Sequence, residues 1–519
     1  MSAETLSVCT PSNMEQALRT ARFPGGLAAS GGETSFSYGL YTRDYLVAIE
    51  DIMATHPHLA RQAFHTIPQH QGTRFNPLTE EQPDRLPHQV VQERLGDLAV
   101  PTNVMRNYEA WANRWGVPFT GGFVIYNSTD GPLRYLRALD KYCTMYGRSV
   151  LGDQFLHQPT SQLRTVEEAA LRTLDWTTGI MQASDLGLPE VKTHNPRQTS
   201  WSSVMRDGID AYTHPIGPYG IAPNRDMPIA YVEILGLAFD ALKAGVRLFP
   251  DHHDAGLWNE LAANLPDKLM RYFWIDQQQY IAPAIDRDQQ GRPRQLEKIG
   301  SSALELMSTT ILRALPDHPD VIRALAVQAF GAGLLTPIGV RMSSLEHIQN
   351  EGGYAGYQDS QTSWAVVSGE IAQGLRRQRL GPLGRNIGKR LVYGIEQARR
   401  FPEYTYVDPD NHPTHHPRPA TSDHGSAKRI AAAELPVAPQ TWTVTRAMVE
   451  VRALDTESPP PPKNSWEGAL CAQMLDQAQQ ISPLPEPPTS GPVIIDLAAG
   501  RAARQRRLQA LFDKGFSLD

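Results

Sequence analysis

The run NRDMPIAYVEILGLAFDAL, residues 224–242, opens on a turn and then becomes apolar at helical steps. Ile229, Val232, Leu235, Phe239, Leu242 and, just beyond, Val246 recur three or four residues apart. That spacing puts them on one face of an α-helix and predicts that the face is buried. The same step returns in Leu133, Leu136, Leu139 and Cys143, and in Leu304, Met307, Ile311 and Leu315. Thr165 and Glu168 have capping-box spacing at the head of VEEAALRTLDWTTGIM. Further helices are predicted over 43–55, 104–115, 253–273, 319–330, 361–377, 386–399 and 439–453. Strand-like alternation is rare, so the chain reads as all-α.

Between the helices lie long linkers rich in Gly, Pro, Asn, His and aromatic residues, at 72–88, 185–226, 336–360 and 401–438. Long connections without structure of their own are usually functional. Helices joined alternately by short turns and long polar loops suggest a toroid with its site on the long-loop face.

The chain has 519 residues, 41% hydrophobic and 20% charged, with a net charge of -6. Nothing there advertises nucleic acid. Cys9, Cys143 and Cys471 lie far apart and form neither a disulfide framework nor a zinc site. The first residues, MSAETLSVCTPSNMEQ, lack the pattern of a signal peptide, and no apolar run is long enough for a membrane span. The expectation is a soluble, cytoplasmic protein with neither nucleic acid nor membrane as partner. No P-loop or dinucleotide fingerprint occurs, so no cofactor is expected. HPTHHPRPATSDH (412–424) and DHHD (251–254) lack regular ligand spacing and read as solvated loops, so no metal is expected. Oligomeric state is not legible.

Several stretches carry chemistry. SSVMRDGIDAYTH (202–214) packs Arg206, Asp207, Asp210, Tyr212 and His214 together. GLYTRDYLVAIEDI (39–52) sets Tyr41, Arg43 and Asp44 before an apolar run, and YNSTDGPL (126–133) sets Asp130 before Pro132. Taken singly, Asp44 and the Thr129–Asp130 pair read as helix caps. Glu233 sits beside an apolar stripe, which is unusual unless it is paired or faces a cavity. GYQDSQTSW (356–364) and PVAPQTWTV (436–444) carry Trp364, Gln440 and Trp442 at the entries of two helices.

In order, these stretches resemble the six-hairpin glycosidases, specifically the amylo-α-1,6-glucosidase branch related to the glycogen debranching enzyme C-terminal domain. YTRD (41–44) is similar to that family's W-x-R-D loop, QVVQERLG (89–96) to KILHExRxG, and YNSTDGPL to YGSVDATPLF. MRDGIDAYTH is similar to WKDSGDSITH, MPIAYVEILGLAFDAL to GPIALCEVQGYVYDAL, and GVRMSS (339–344) to GIRTLS. FPEYTYVD (401–408) is similar to LPELF and LPVAPQTW (435–442) to YPVACSPQAW. The matches are collinear over about 40–445. Met205, Gly208 and Tyr404 depart from the family's Trp, Ser and Leu, and YQDSQTSW lacks H-x-G-x-x-W-P. These departures leave sugar and linkage open.

The resemblance implies an (α/α)6 toroid over 35–455, between an N-terminal extension (1–34) and a proline-rich tail with a short basic helix (456–519). It implies an exo-acting, inverting glycoside hydrolase acting on an α-glucoside or related α-glycoside of carbohydrate metabolism. Asp207 maps to the general acid and Glu403 to the base, with Asp359 and Glu434 as rival bases. Tyr41, Arg43, Asp44, Asp130, Arg206, Asp210, Glu233, Trp364, Gln440 and Trp442 map to sugar binding. A non-catalytic carbohydrate-binding or interaction protein on the same toroid, or a phosphorylase or lyase, are the alternatives.

SPPPPK (458–463) and SPLPEPPTSGP (482–492) are proline-rich and expected to be extended. Truncation after about residue 480 is therefore expected to leave folding and activity largely intact. A melting curve and a hydrolysis assay check this; loss of solubility or activity would show that the tail docks on the toroid.

Overall fold

The computed structural model describes residues 7–23, 25–31, 35–95, 98–197, 204, 212–215, 221–316, 318–345, 360–407, 413–414, 439–456 and 459–482. Fourteen α-helices lie among them. They are α1 (Pro11–Thr20), α2 (Thr42–Ile52), α3 (Pro57–Thr66), α4 (Thr102–Trp115), α5 (Asp130–Tyr146), α6 (Val166–Gln182) and α7 (Val232–Leu248). They continue as α8 (Ala255–Lys268), α9 (Ser302–Glu305), α10 (His318–Ala329), α11 (Ala365–Arg377), α12 (Gly381–Ala398), α13 (Thr441–Asp455) and α14 (Trp466–Ile481). No described strand exceeds four residues.

Burial sorts the helices into two layers. In α2 and α7 nearly every side chain is buried, charged ones included, because these helices are covered all round. In α4 only Val104, Tyr108, Ala112 and Trp115 are buried, a single stripe. The inner helices form a ring. α2 packs on α5, α5 on α7, α7 on α9 and the turn at Leu306–Ser308, these on α11, α11 on α13, and α13 back on α2. Outside it, α8 backs α7, α12 backs α11 and α13, α3 backs α2 and α1 backs α13. The result is a helical toroid around one continuous apolar core. Further out, α14 buries Leu470, Cys471, Met474 and Ala478, packs on α12, and is followed by Ser482, whose carbonyl accepts from Arg390.

The helix expected through Leu304–Leu315 is broken. α9 gives way to 3-10 turns at Leu306–Ser308 and Ile311–Ala314. Hydroxyls compete with the helix here. Ser308 and Thr309 donate back to Glu305 and Leu306 carbonyls, and Asp240 captures both the Thr310 N–H and its hydroxyl. Two neighbours carry glycine where they approach this short wall. A Cβ on Gly374 of α11 would meet the Met307 carbonyl carbon at 2.6 Å, and one on Gly236 of α7 would meet Leu306 at 2.7 Å.

Charged side chains fill the bore of the ring, all from the second or third turns of inner helices. Arg134 of α5 reaches Glu370 of α11 at 2.7 Å, and Arg446 of α13 reaches the same carboxylate at 3.2 Å. Arg446 also binds Asp51 of α2 at 2.7 Å, while Glu50 of α2 takes a fork of hydrogen bonds from Arg137 of α5. Pairs at matching depth mean that these helices run parallel, with their N-termini at one end. Burial raises the proton affinity of Glu370, but Arg134 and Arg446 outweigh it and hold the carboxyl well below the usual range.

Glu370→Gln is predicted to cost about 3–5 kcal/mol, because it leaves two buried guanidiniums short of a counter-charge. A folded pKa below the unfolded one gives stability that is complete above about pH 5 and fades as pH falls further. Urea melts should therefore show the wild-type protein weakening below about pH 4, with that part of the pH dependence missing in Glu370→Gln. A loss below about 1 kcal/mol would show that the pair carries no more than an ordinary hydrogen bond.

Candidate functional site

Most of the sequence-predicted binding residues stand at the entries of inner helices. Arg43 and Asp44 lie in the first turn of α2, Asp130 opens α5, Glu233 lies in the first turn of α7, and Trp442 in that of α13. Tyr41, Trp364 and Gln440 precede α2, α11 and α13 in extended conformation. Short strands fix them there. Leu40–Tyr41 pairs with Val90–Gln89, Ala230–Tyr231 with Ile285–Ala284, and Thr362–Trp364 with Tyr406–Tyr404. The first turns supply the partial positive charge of helix N-termini, which favours ionised carboxylates.

Arg43 grips Asp130 in a two-pronged pair at 2.7 and 3.0 Å, both side chains buried. Thr129 makes no side-chain cap, and Ser128 donates to Asp130 at 2.7 Å, so Asp130 serves the ion pair and not a helix cap. Burial alone would raise its pKa, but Arg43, Arg134 and Ser128 bring it below the usual value and keep it ionised. Beside it, Gln89 donates to the Tyr41 hydroxyl at 2.7 Å, and Tyr108 lies 3.3 Å from the same oxygen. His88 meets Tyr41 edge-on, with ring centroids 6.3 Å apart. Burial and then the Arg43 charge push its imidazole down to about 3, so it is neutral. His88 was not singled out from the sequence; a polar His-Gln pair heading the apolar run VV was the available signal.

On the other side of the ring the Tyr404 and Trp364 rings stack at 5.3 Å, and Trp442 meets Trp364 edge-on at 6.1 Å. Glu403 directly precedes Tyr404 and is half-buried. Its approach is clamped to α13. The Gln440 N–H donates to the Phe401 carbonyl at 2.9 Å, and the Thr443 hydroxyl to that of Pro402 at 2.6 Å. Gln440 Nε2 and Trp442 Nε1 are buried and have no hydrogen-bond partner among the described residues. Ser30 and Phe36 touch this wall and Tyr41 respectively. Ser30 bridges Gln440, and Phe36 lies 5.5 Å from the Tyr41 ring.

Glu233 accepts the hydroxyl of Tyr212, which packs on Tyr231 at 4.7 Å. His214 lies 3.1 Å from Asp286, a buried carboxylate also held by Arg294 and the Asn224 N–H. The far end of the 202–214 stretch is thus fixed to the strand system before α7. Earlier in the chain, Glu80 accepts the N–H groups of His194 and Asn195 at 2.5 and 2.7 Å. Arg206, Asp207 and Asp210, with the rival bases Asp359 and Glu434, lie outside the described residues. For a metal, the described residues offer one cluster, His252, His253 and Asp254, with ligand atoms within 4.8 Å of one another before α8. No described helix is long and apolar enough to cross a membrane.

No family model and no curated protein sequence matches the chain. Solved structures do. A GH63 mannosylglycerate hydrolase from Thermus thermophilus, in complex with glucose, superposes with a TM-score of 0.51 at 12% identity, covering 85% of this chain and 99% of that one. An uncharacterized conserved protein from Thermus thermophilus gives 0.50 at 13% identity, covering 85% and 98%. The likeness is one of fold. This chain builds the kind of helical toroid that the mannosylglycerate hydrolase builds, and the sequence resemblance to toroidal glycosidases holds at that level.

Proposed function

We propose that the chain is an exo-acting, inverting glycoside hydrolase on an (α/α)6 toroid, with Asp207 as general acid and Glu403 as general base. The observation that carries the reading is the convergence at one end of the ring. The Arg43–Asp130 pair, Glu233 and the Trp364–Tyr404–Trp442 wall all stand at inner-helix entries, with Glu403 beside the wall. An ion pair with polar groups on one side and aromatic faces on the other suit a sugar, which has hydroxyls at its rim and C–H groups on its faces.

In this reading Asp207 protonates the leaving oxygen while Glu403 holds a water against the opposite face of the anomeric carbon. Inversion requires room for that water, with the carboxyl groups roughly 6.5–9.5 Å apart. Asp207 must be protonated before the step, which burial or a carboxylate such as Asp210 would favour. Asp130 stays ionised and acts with Arg43 as a fixed sugar clamp, joined by Tyr41, Asp44, Arg206, Asp210 and Glu233. Gln440 Nε2 and Trp442 Nε1 are donors for sugar hydroxyls. The sugar is an α-glucoside or a related α-glycoside. Mannosylglycerate, acted on by the neighbour of similar fold, belongs in the substrate panel.

Asp207→Asn is predicted to fold normally and to lose natural glycosides by about 10²–10⁴-fold, the range of a positioned acid. Aryl glycosides with very acidic leaving groups need little protonation and should lose far less. Equal losses on both substrate types would overturn the acid role. Glu403→Gln is predicted to lower kcat by orders of magnitude on both types alike, with KM little changed, because water activation does not depend on the leaving group. Full activity in Glu403→Gln would move the base to Asp359 or Glu434.

A further inference from the structure

The opposite end of the ring carries a second concave site. A cavity of about 420 Å³ opens between the turn after α11 and the first turns of α10 and α14. α11 begins just after Trp364 and ends at Arg377, so the cavity lies roughly 20 Å from the aromatic wall, at 1.5 Å per residue.

Its lining is cationic, against a net charge of -6 for the chain. Arg313, Arg377 and Arg379 face it together with His318, and Glu467 is the single carboxylate of the lining. Neither Arg313, Arg377 nor Arg379 forms an ion pair among the described residues. Arg313 and Arg377 donate only to backbone, to the carbonyls of Arg377 and Ser308. Arg377 also borders the bore, within electrostatic reach of Glu50 and Asp240, whereas Arg313 and Arg379 lie outside it, unlike Arg134, Arg137 and Arg446, each matched to a carboxylate. Arg379 stands in the left-handed region at φ +63, just past a helix end, where glycine is the usual residue. Two helices of 12 and 16 residues turn their N-termini to the cavity and add the partial positive charge of their dipoles, although Ser465 already caps α14 through the Gly468 N–H. Trp466, half-buried at the head of α14, gives the cavity an apolar, stackable side.

We propose that this cavity is a binding site for a small phosphomonoester that carries a ring. The Arg313 and Arg379 guanidiniums, with Arg377 at the edge shared with the bore and two helix N-termini, match a dianionic oxyanion, for which arginine forks are the fitting donors. A neutral sugar would leave the guanidiniums without counter-charge, and a single carboxylate would answer only part of it. The volume falls within the span of small-molecule pockets. The site is separate from the proposed catalytic end and stands whether or not that end hydrolyses glycosides.

Calorimetric titration of the full chain with phenyl phosphate, at fixed ionic strength, tests this. Saturable binding to one site is expected, with a Kd of about 1 mM or tighter. Inorganic phosphate should compete, and phenol should not bind. Arg313→Gln/Arg379→Gln, on exposed side chains, should melt like the wild type and bind at least about tenfold more weakly. Absence of saturable heat, or equal affinity in the double variant, would overturn the proposal. Benzoate binding as tightly as phenyl phosphate would overturn the assignment to a dianionic phosphate.

Discussion

The charged network in the bore is the constraint on which the rest of the toroid depends. Parallel inner helices leave an axis that must be filled, and here it is filled by Arg134, Arg137, Glu50, Asp51, Glu370 and Arg446. A buried charge is tolerated only when it is paired and hydrogen-bonded, so each member fixes the depth and rotation of the helix opposite. That locking brings the N-termini of α2, α5, α7, α11 and α13 to one end. It also floors the candidate site, where Arg134 lies 3.7 Å from Asp130 and so touches both network and clamp.

Above that floor, chemistry is divided by side. Arg43, Asp130, Tyr41 and the neutral His88 make one polar flank, and Trp364, Tyr404 and Trp442 an aromatic one beside Glu403. Both flanks are set by short strands that end where an inner helix starts, so backbone pairing fixes the site residues before their side chains do any work. The strands are two to four residues long, which suffices to aim one residue per helix.

How much of this was legible in the sequence follows from distance along the chain. The apolar stripe and the capping box at Thr165 and Glu168 are local signals; the capping box appears as read, and the stripe holds from Val232 to Leu242, while Ile229 lies in the short strand before α7 and Val246 is only half-buried. The short strands were not legible, because two or three residues cannot show a period of two. The break after Glu305 was missed because Asp240, which captures Thr310, is 70 residues away. The bore was invisible for the same reason: Arg134 and Glu370 are 236 residues apart, Arg446 and Asp51 are 395 apart, and each alone resembles a surface charge. The resemblance to known glycosidases supplied the order of site residues. Asp44 and Asp130 read singly as caps, and the structure shows Asp130 committed to an ion pair with Arg43.

The central claim is hydrolysis with inversion between two carboxyl groups. Proton NMR of the anomeric signals in the first turnovers of an α-glucoside or α-mannoside reads it directly. The account predicts that the β-anomer of the released sugar appears first and mutarotates afterwards. Initial release of the α-anomer would mean a covalent, retaining route with carboxyls about 5–5.5 Å apart, and would contradict the pairing of Asp207 with Glu403 across a water.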